Sequence, residues 1–297
     1  MTSSRSASLR MSRSISLIFL ILLGVVWIVP LLWVLLNSFK TNQEFIVSYA
    51  QLQGPLDYLT RIIPKDWTLY SYQQLFTGEG INAIANIPTM FINSAIVSIA
   101  QTIIVLIITS LSAFAYERLN FKNGDKIFWT LFYLSLFPSA VTVLPLFKIC
   151  YALGWVNNIN ALIWPRVAGV MNIFLLRNFL HGIPKELDEA ARIDGAGSFR
   201  VYLHIIMPSM LPVLMTVGLF AFKGAWNDYF WPSIVMNEPN NQTLTSGLRL
   251  LQGQYGNNQW TNLLACCIIS IVAPFLFYIF AQRYFLKGIN ISAAVKG

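Results

Sequence analysis

The sequence is short of charge: 11% of its 297 residues are Asp, Glu, Lys or Arg, against about 25% in soluble globular domains. So few ionic groups cannot cover a water-facing surface. There are three cysteines, Cys150, Cys266 and Cys267, all in or beside apolar runs. They have neither the number nor the spacing of a disulfide framework or a metal site, and read as small apolar residues. The two histidines, His181 and His204, belong to no His-Glu-x2-His pair. With no nucleophile elbow either, no catalytic residue or metal ligand is assigned. No Gly-x4-Gly-Lys-Ser/Thr run occurs, so hydrolysis of a nucleotide by this chain itself is not expected.

What the sequence has is apolar length. Hydrophobic residues make up 56% of it, the mean hydropathy is +0.60, and several runs are long enough for a bilayer core about 30 Å thick. The expected class is an all-α polytopic membrane protein with six spans, at about residues 15–39, 88–112, 127–150, 161–180, 208–235 and 261–282. The first run follows Arg5, Arg10 and Arg13, as a secretory signal would. It is too long for a signal core and lacks a small-residue cleavage site, so it reads as an uncleaved span.

Six spans place both termini on one side, and basic residues say which. Arg5, Arg10, Arg13, Arg118, Lys122, Lys126, Arg177, Lys185, Arg192, Arg200, Arg283, Lys287 and Lys296 fall on that side; Lys40, Arg61, Lys65 and Arg249 fall on the other. Both termini are therefore expected in the cytoplasm. The excess of 20 basic over 12 acidic residues is then a topology signal, with no nucleic-acid partner implied. Residues 40–87 form an external segment with the composition of a small folded cap or a docking site. The last external loop, 237–260, is rich in Asn, Gln and Gly, the make-up of a hydrogen-bonding loop. The spans hold almost no carboxylates beyond Asp228, which argues against proton or sodium coupling within this chain.

The cytoplasmic segment 181–207 between the fourth and fifth spans is the most structured piece of the sequence. Gly182 and Pro184 end one helix and start another. Lys185–Asp194 reads as a short helix with Glu186, Asp188 and Glu189 at its positive end. Gly195 suits the left-handed residue that stops it, and Ser198 is expected to cap a second helix running to Pro208. Ala190 and Ala191 leave room for another backbone to approach.

Glu189-Ala190-Ala191, Gly195, Ile205 and Pro208 resemble the EAA motif of bacterial ABC importer permeases, Glu-Ala-Ala-x3-Gly-x9-Ile-x-Leu-Pro, with Met207 where that family prefers Leu. Trp226-Asn227-Asp228-Tyr229-Phe230-Trp231-Pro232 resembles the aromatic segment of carbohydrate-uptake permeases. The ending, Ala281-Gln282-Arg283-Tyr284-Phe285 with Lys296 and Gly297, is similar to the tail of the maltose-type second permease. This one has Ile289-Asn290-Ile291-Ser292-Ala293-Ala294 where the tail is usually Gly-rich.

The resemblance implies a type I ABC importer permease fold in the bacterial cytoplasmic (inner) membrane. It implies as partners a second homologous permease, a cytoplasmic ATPase dimer that binds ATP and Mg, an external solute-binding protein, and a carbohydrate substrate; the lipid of the membrane surrounds the spans. No cofactor is expected on this chain. Residues carried over for ATPase coupling are Asp188, Glu189, Ala190, Ala191, Arg192, Asp194, Gly195, Ile205 and Pro208. Contact with the binding protein falls to Gln252, Gly253, Gln254, Tyr255, Gly256 and Asn257, and contact of the tail with the ATPase to Lys296 and Gly297.

In the fifth span, Phe222, Lys223, Trp226, Asn227, Asp228 and Phe230 combine aromatic faces, an amide and charges, the chemistry that holds sugars. The same residues are also read as helix packing with an interfacial aromatic belt. An ABC permease for a non-sugar solute and an autonomous carrier or channel are the alternatives.

Overall fold

The computed structural model describes residues 2–50, 54, 57, 61–77, 86–119, 121–253 and 259–294, with backbone alone at 2–12, 250–253 and 283–294. Among the described residues every regular element is helical. The chain divides into two compact units, Met1–Ile84 with Leu250–Ile269, and Ala85–Arg249 with Ser270–Gly297.

In the first unit, helix α1 (Thr2–Ser38) carries the first apolar run. Among the described residues, the large apolar side chains from Ile15 to Leu32 are exposed, which suits a helix solvated by lipid. The chain beyond it folds back onto its end. Asn37, Ser38 and Lys40 are wholly buried, and each has a partner: Tyr49 donates to Asn37 Oδ1 at 3.0 Å, Ser38 and Tyr72 share a hydroxyl bond of 2.7 Å, and Lys40 Nζ donates to the Arg61 carbonyl. Two short helices frame this cluster, α2 (Asn42–Ala50) and α3 (Tyr70–Thr77).

The second unit is built on helix α4 (Ile87–Arg118). Asn86 starts it by accepting the Thr89 N–H at 3.1 Å, with Pro88 in the first turn. The third predicted span is two helices, α5 (Gly124–Ser135) and α6 (Ser139–Ala152), bent by 100° at Pro138. That proline lacks an N–H and bars its predecessor from the helical region. The fourth predicted span is broken as well. A short turn at Asn160–Ile163 and a 3-10 turn at Trp164–Arg166 precede α7 (Val170–His181), whose 12 residues are fewer than the roughly 20 a bilayer needs.

Helices α8 (Glu186–Ile193) and α9 (Ser198–Ser209) form the connecting segment. Helix α10 (Leu211–Trp226) follows at a bend of 78°, then α11 (Phe230–Val235). Residues 237–260, expected as a loop, hold a 3-10 turn at Pro239–Asn241 and a helix, α12 (Leu244–Gly253). The final helix α13 runs Trp260–Ala294, past the expected end at 282, and absorbs Pro274 without a break. Among the described residues, three helices are long and apolar enough to cross a membrane, or up to five if each bent pair is one span. The core of the second unit forms where α4 packs against α7 and α10; Val97, Val105, Leu176, Leu180 and Val217 are among the residues sealed in it.

Candidate functional site

The segment carrying Glu189 to Pro208 is a helix, a tight reversal and a second helix, as its residues dictate. Helix α8 ends in a Schellman cap: the Ala196 N–H bonds the Ala191 carbonyl at 2.9 Å and the Gly195 N–H bonds the Arg192 carbonyl at 3.0 Å. Gly195 sits at φ +83°, a conformation that costs any residue with a Cβ about 1 kcal/mol. The interval from Ala191 to Gly195 is therefore the interval of this cap. The expectation for Ser198 is corrected: Gly197, extended, is the N-cap of α9, and no side chain caps it.

Within α9 the residues Tyr202–Ile206 are a π-turn, in which the Met207 N–H reaches back to the Tyr202 carbonyl. Pro208 follows directly and supplies no N–H of its own, so the regular ladder fails here. Just past the proline, Ser209 Oγ donates to the Ile205 carbonyl at 2.7 Å. Ile205 is partly buried against the core and Ile206 is fully buried.

The one fully buried residue of α8 is Asp188. Its Oδ2 lies 2.9 Å from Arg118 Nε, and both side chains are almost completely buried. The contact is not aligned as a hydrogen bond, so the attraction is that of charge on charge. Arg118 is the last residue of α4, and its Nη2 donates to the Leu180 and Ile183 carbonyls at 3.1 and 2.8 Å. It thus caps α7 while holding α8. Beside it, Glu117 accepts from Arg177 at 3.1 Å and bonds His181 at 2.9 Å. Arg177 also pairs with Asp125 and lies 4.7 Å over the Phe128 ring. The ends of α4, α5, α7 and α8 are fastened together by charge.

Most of the other coupling candidates are open. Glu189, Ala190, Arg192, Asp194, Gly195 and Pro208 are exposed and Ala191 half-buried. Ile193 and Phe199 are apolar yet 86% and 66% exposed.

The fifth-span candidates separate into two sets. Phe222 and Trp226 are core residues: Phe222 stacks on Phe277 at 4.5 Å, and Trp226 donates to the Ser270 carbonyl at 3.0 Å. Asp228 pairs with Arg166 at 3.0 Å. Lys223, Asn227 and Phe230 stand instead on the open face of α10 and α11. Of the other candidates, Gln252 and Gly253 end α12; Gln254, Tyr255, Gly256, Asn257, Lys296 and Gly297 lie outside the described residues. Among the described residues no group of His, Cys, Asp or Glu comes together to hold a metal ion.

The binding-protein-dependent transport system inner membrane component family matches residues 108–291, from within α4 through both broken helices and the connecting segment. The chain belongs to that family. It is 31% identical to the arabinooligosaccharides transport system permease protein AraQ of Halalkalibacterium halodurans, over 90% of this chain and 91% of that one. It is 29% identical to the trehalose/maltose transport system permease protein MalG of Thermococcus litoralis, over 97% and 98%. A crystal structure of a bacterial ABC transporter involved in the import of the acidic polysaccharide alginate has the same fold: TM-score 0.78 at 18% identity, over 93% of this chain and 97% of that one. Family members are transporter subunits, and this one presents an anchored segment with an open outer face.

Sequence reading misses the anchor. It counts Arg118 and Arg177 only as topology charges and does not single out Glu117. The signal available is Glu117-Arg118, opposite charges side by side just past an apolar run, with Asp188 ahead of Glu189. Nothing in the spacing says that these meet.

Proposed function

We propose that this chain is one of two permease subunits of an ATP-driven importer that takes a saccharide from an external binding protein. The observation that carries the reading is the connecting segment: Asp188 is locked to Arg118 inside, while Glu189, Ala190, Arg192 and Asp194 and the apolar Ile193 and Phe199 are exposed among the described residues. A segment so built is suited to sit in a cleft of a cytoplasmic ATPase. Because α8 is tied through Arg118 to the ends of α4 and α7, a push on α8 moves those helices as a body. ATP and Mg then belong to the partner. Closure of the ATPase dimer would turn the membrane helices between inward- and outward-open states, a switch of two discrete packings.

Six spans follow if each bent pair crosses once and the broken stretch 160–181 supplies the sixth, with both termini in the cytoplasm of a bacterial cell. The basic-residue asymmetry supports that orientation. Residues 252–257 would meet the binding protein and 296–297 the ATPase. The saccharide reading is supported by the named cargo of AraQ and MalG, and by the aromatic and amide groups on the open face at Phe230 and Asn227.

The test is purification of the assembled complex from native membranes. A second permease, an ATPase and a binding protein are expected with this chain. Transport by the chain alone in liposomes without ATP overturns the reading.

A further inference from the structure

The apolar stretch 15–36 of α1 rises about 33 Å at roughly 1.5 Å per residue, close to the roughly 30 Å of a bilayer core. The buried cluster at Asn37, Ser38 and Lys40 therefore begins at the membrane boundary. In α13 the apolar stretch 263–281 rises about 28 Å, which puts Asn262 at a boundary as well. Helix α3 and the residues just before it are tied to both places. The Thr68 N–H donates to the Phe39 carbonyl at 2.9 Å, Tyr72 shares its hydroxyl bond with Ser38, and Asn262 Nδ2 donates to Gln74 Oε1 at 2.9 Å. The last turn of α1's span and the first turn of α13 thus lie at one level, and residues 67–77 lie there with them.

What this stretch exposes at that level is largely apolar. Trp67, Leu69, Tyr70 and Phe76 are each more than half exposed, and Trp260 at the start of α13 is exposed too. Trp67 rests on Phe39 with ring centroids 5.6 Å apart, which keeps it within the headgroup layer, roughly 6 Å thick on each side of a bilayer. Along α3, Tyr70, Gln73 and Phe76 follow one another at helical spacing on the exposed side, while Ser71 and Leu75 are buried on the other. The Tyr70 hydroxyl accepts from Gln74 Nε2 at 2.7 Å, so its polar tip is held while its ring stays exposed. The charged neighbours of Trp67, Lys65 and Asp66, are exposed and opposite in sign. The hydrated headgroup layer takes such rings with their faces against acyl chains and their polar edges wet.

We propose that Trp67, Leu69, Tyr70 and Phe76 form a lipid-docking surface, seated in the phospholipid headgroup layer of the leaflet where the span of α1 ends and α13 begins. The exposed apolar side chains of α1 lead toward this surface, so the two are parts of one lipid-facing side. Since the charges beside Trp67 cancel, the surface fits phospholipid of any headgroup charge, and the rings rather than ion pairs give the hold. Seated there, it keeps those two helix ends at a fixed depth. The inference needs α1 and α13 to cross the membrane and is independent of the cargo and of the ATPase contact.

p-Benzoylphenylalanine placed at Trp67, Tyr70 or Phe76, in the assembled importer with its partner subunits, would be photolysed in membranes carrying radiolabelled phospholipid. Val26, within the exposed apolar run of α1, is the reference position for lipid contact. Each of the three positions is expected to add one phospholipid to this chain, in a yield comparable to that at Val26. Leu69→Ser with Phe76→Ser leaves the buried Ser71 and Leu75 in place and should lower the yield at Tyr70 several-fold, since two apolar groups no longer hold α3 down. Lipid at Val26 with none at Trp67, Tyr70 and Phe76 overturns the proposal while leaving α1 in the membrane. Adducts of these positions with the binding protein or the second permease also overturn it, because the rings then belong to a protein contact. A yield at Tyr70 unmoved by the paired serine variant overturns the anchoring role. Absence of lipid at Val26 as well removes the placement of α1 on which the inference stands.

Discussion

Single residues set two tightly constrained points of this chain. Gly195 holds φ +83°, and a Cβ added there would have nothing within 4 Å, so a side chain meets strain but no clash. Gly195→Ala should cost about 1 kcal/mol, leave the complex assembled, and reduce transport modestly. Gly195→Arg adds bulk on the open face and should abolish transport while the protein still purifies with its spans intact; paired uptake and ATPase assays check both. Lys40 is the second point, wholly buried with its ammonium on the Arg61 carbonyl and 5.5 Å over the Tyr49 ring. Burial lowers its pKa below 10.5, against a smaller opposing pull from Glu44. With the folded value below the unfolded one, the unfolded chain binds more protons between the two. The charged lysine's cost to stability is thus fully present at neutral pH and relieved as pH rises through the folded pKa toward 10.5. Thermal unfolding in detergent should show wild type gaining on Lys40→Met as pH is raised from about 8 toward that value; a constant difference would contradict this.

Helical elements are legible in the sequence where apolar length alone decides, as in α1, α4 and α13. They are not legible where a break interrupts a run. Pro138 and the Pro165–Gly169 stretch are visible, but a proline inside a span is compatible with a continuous helix, as Pro274 in α13 demonstrates. Which prolines bend depends on whether neighbours re-satisfy the freed carbonyls, and that is tertiary information. The connecting segment is more legible, because Ala191 and Gly195 obey a local rule of helix termination. Its anchor is not, since Arg118 and Asp188 are brought together only by packing of α4 against α7. Removing one partner of a buried ion pair typically costs about 3–5 kcal/mol, because the other charge is stranded. Arg118→Met should therefore lower both stability and coupling, and Arg118→Met with Asp188→Leu should recover much of the stability. If α8 passes force through that pair, the double variant stays uncoupled: ATP is hydrolysed in its complexes, yet uptake remains low. Full recovery of uptake would make the pair a structural contact only.

At the scale of the whole molecule, the proposed orientation makes opposite demands on two surfaces that are both exposed in the chain by itself. Ile193 on α8 must face the cytoplasm and be covered by the ATPase, while Trp67, beyond the first span, must face outward; each is exposed, at 86% and 60%. With Cys150, Cys266 and Cys267 replaced by alanine, a single cysteine at either site reports its side through a membrane-impermeant maleimide. Trp67→Cys should label in intact cells or spheroplasts. Ile193→Cys should label only in inverted vesicles, and more slowly when the ATPase is present than when it has been stripped away. The two controls separate topology from docking: labelling of both sites from one side contradicts the six-span arrangement, because the odd number of crossings between residues 67 and 193 is what puts them on opposite faces. Correct sidedness with no protection of Ile193→Cys would instead keep the topology and move the ATPase contact off the α8 face.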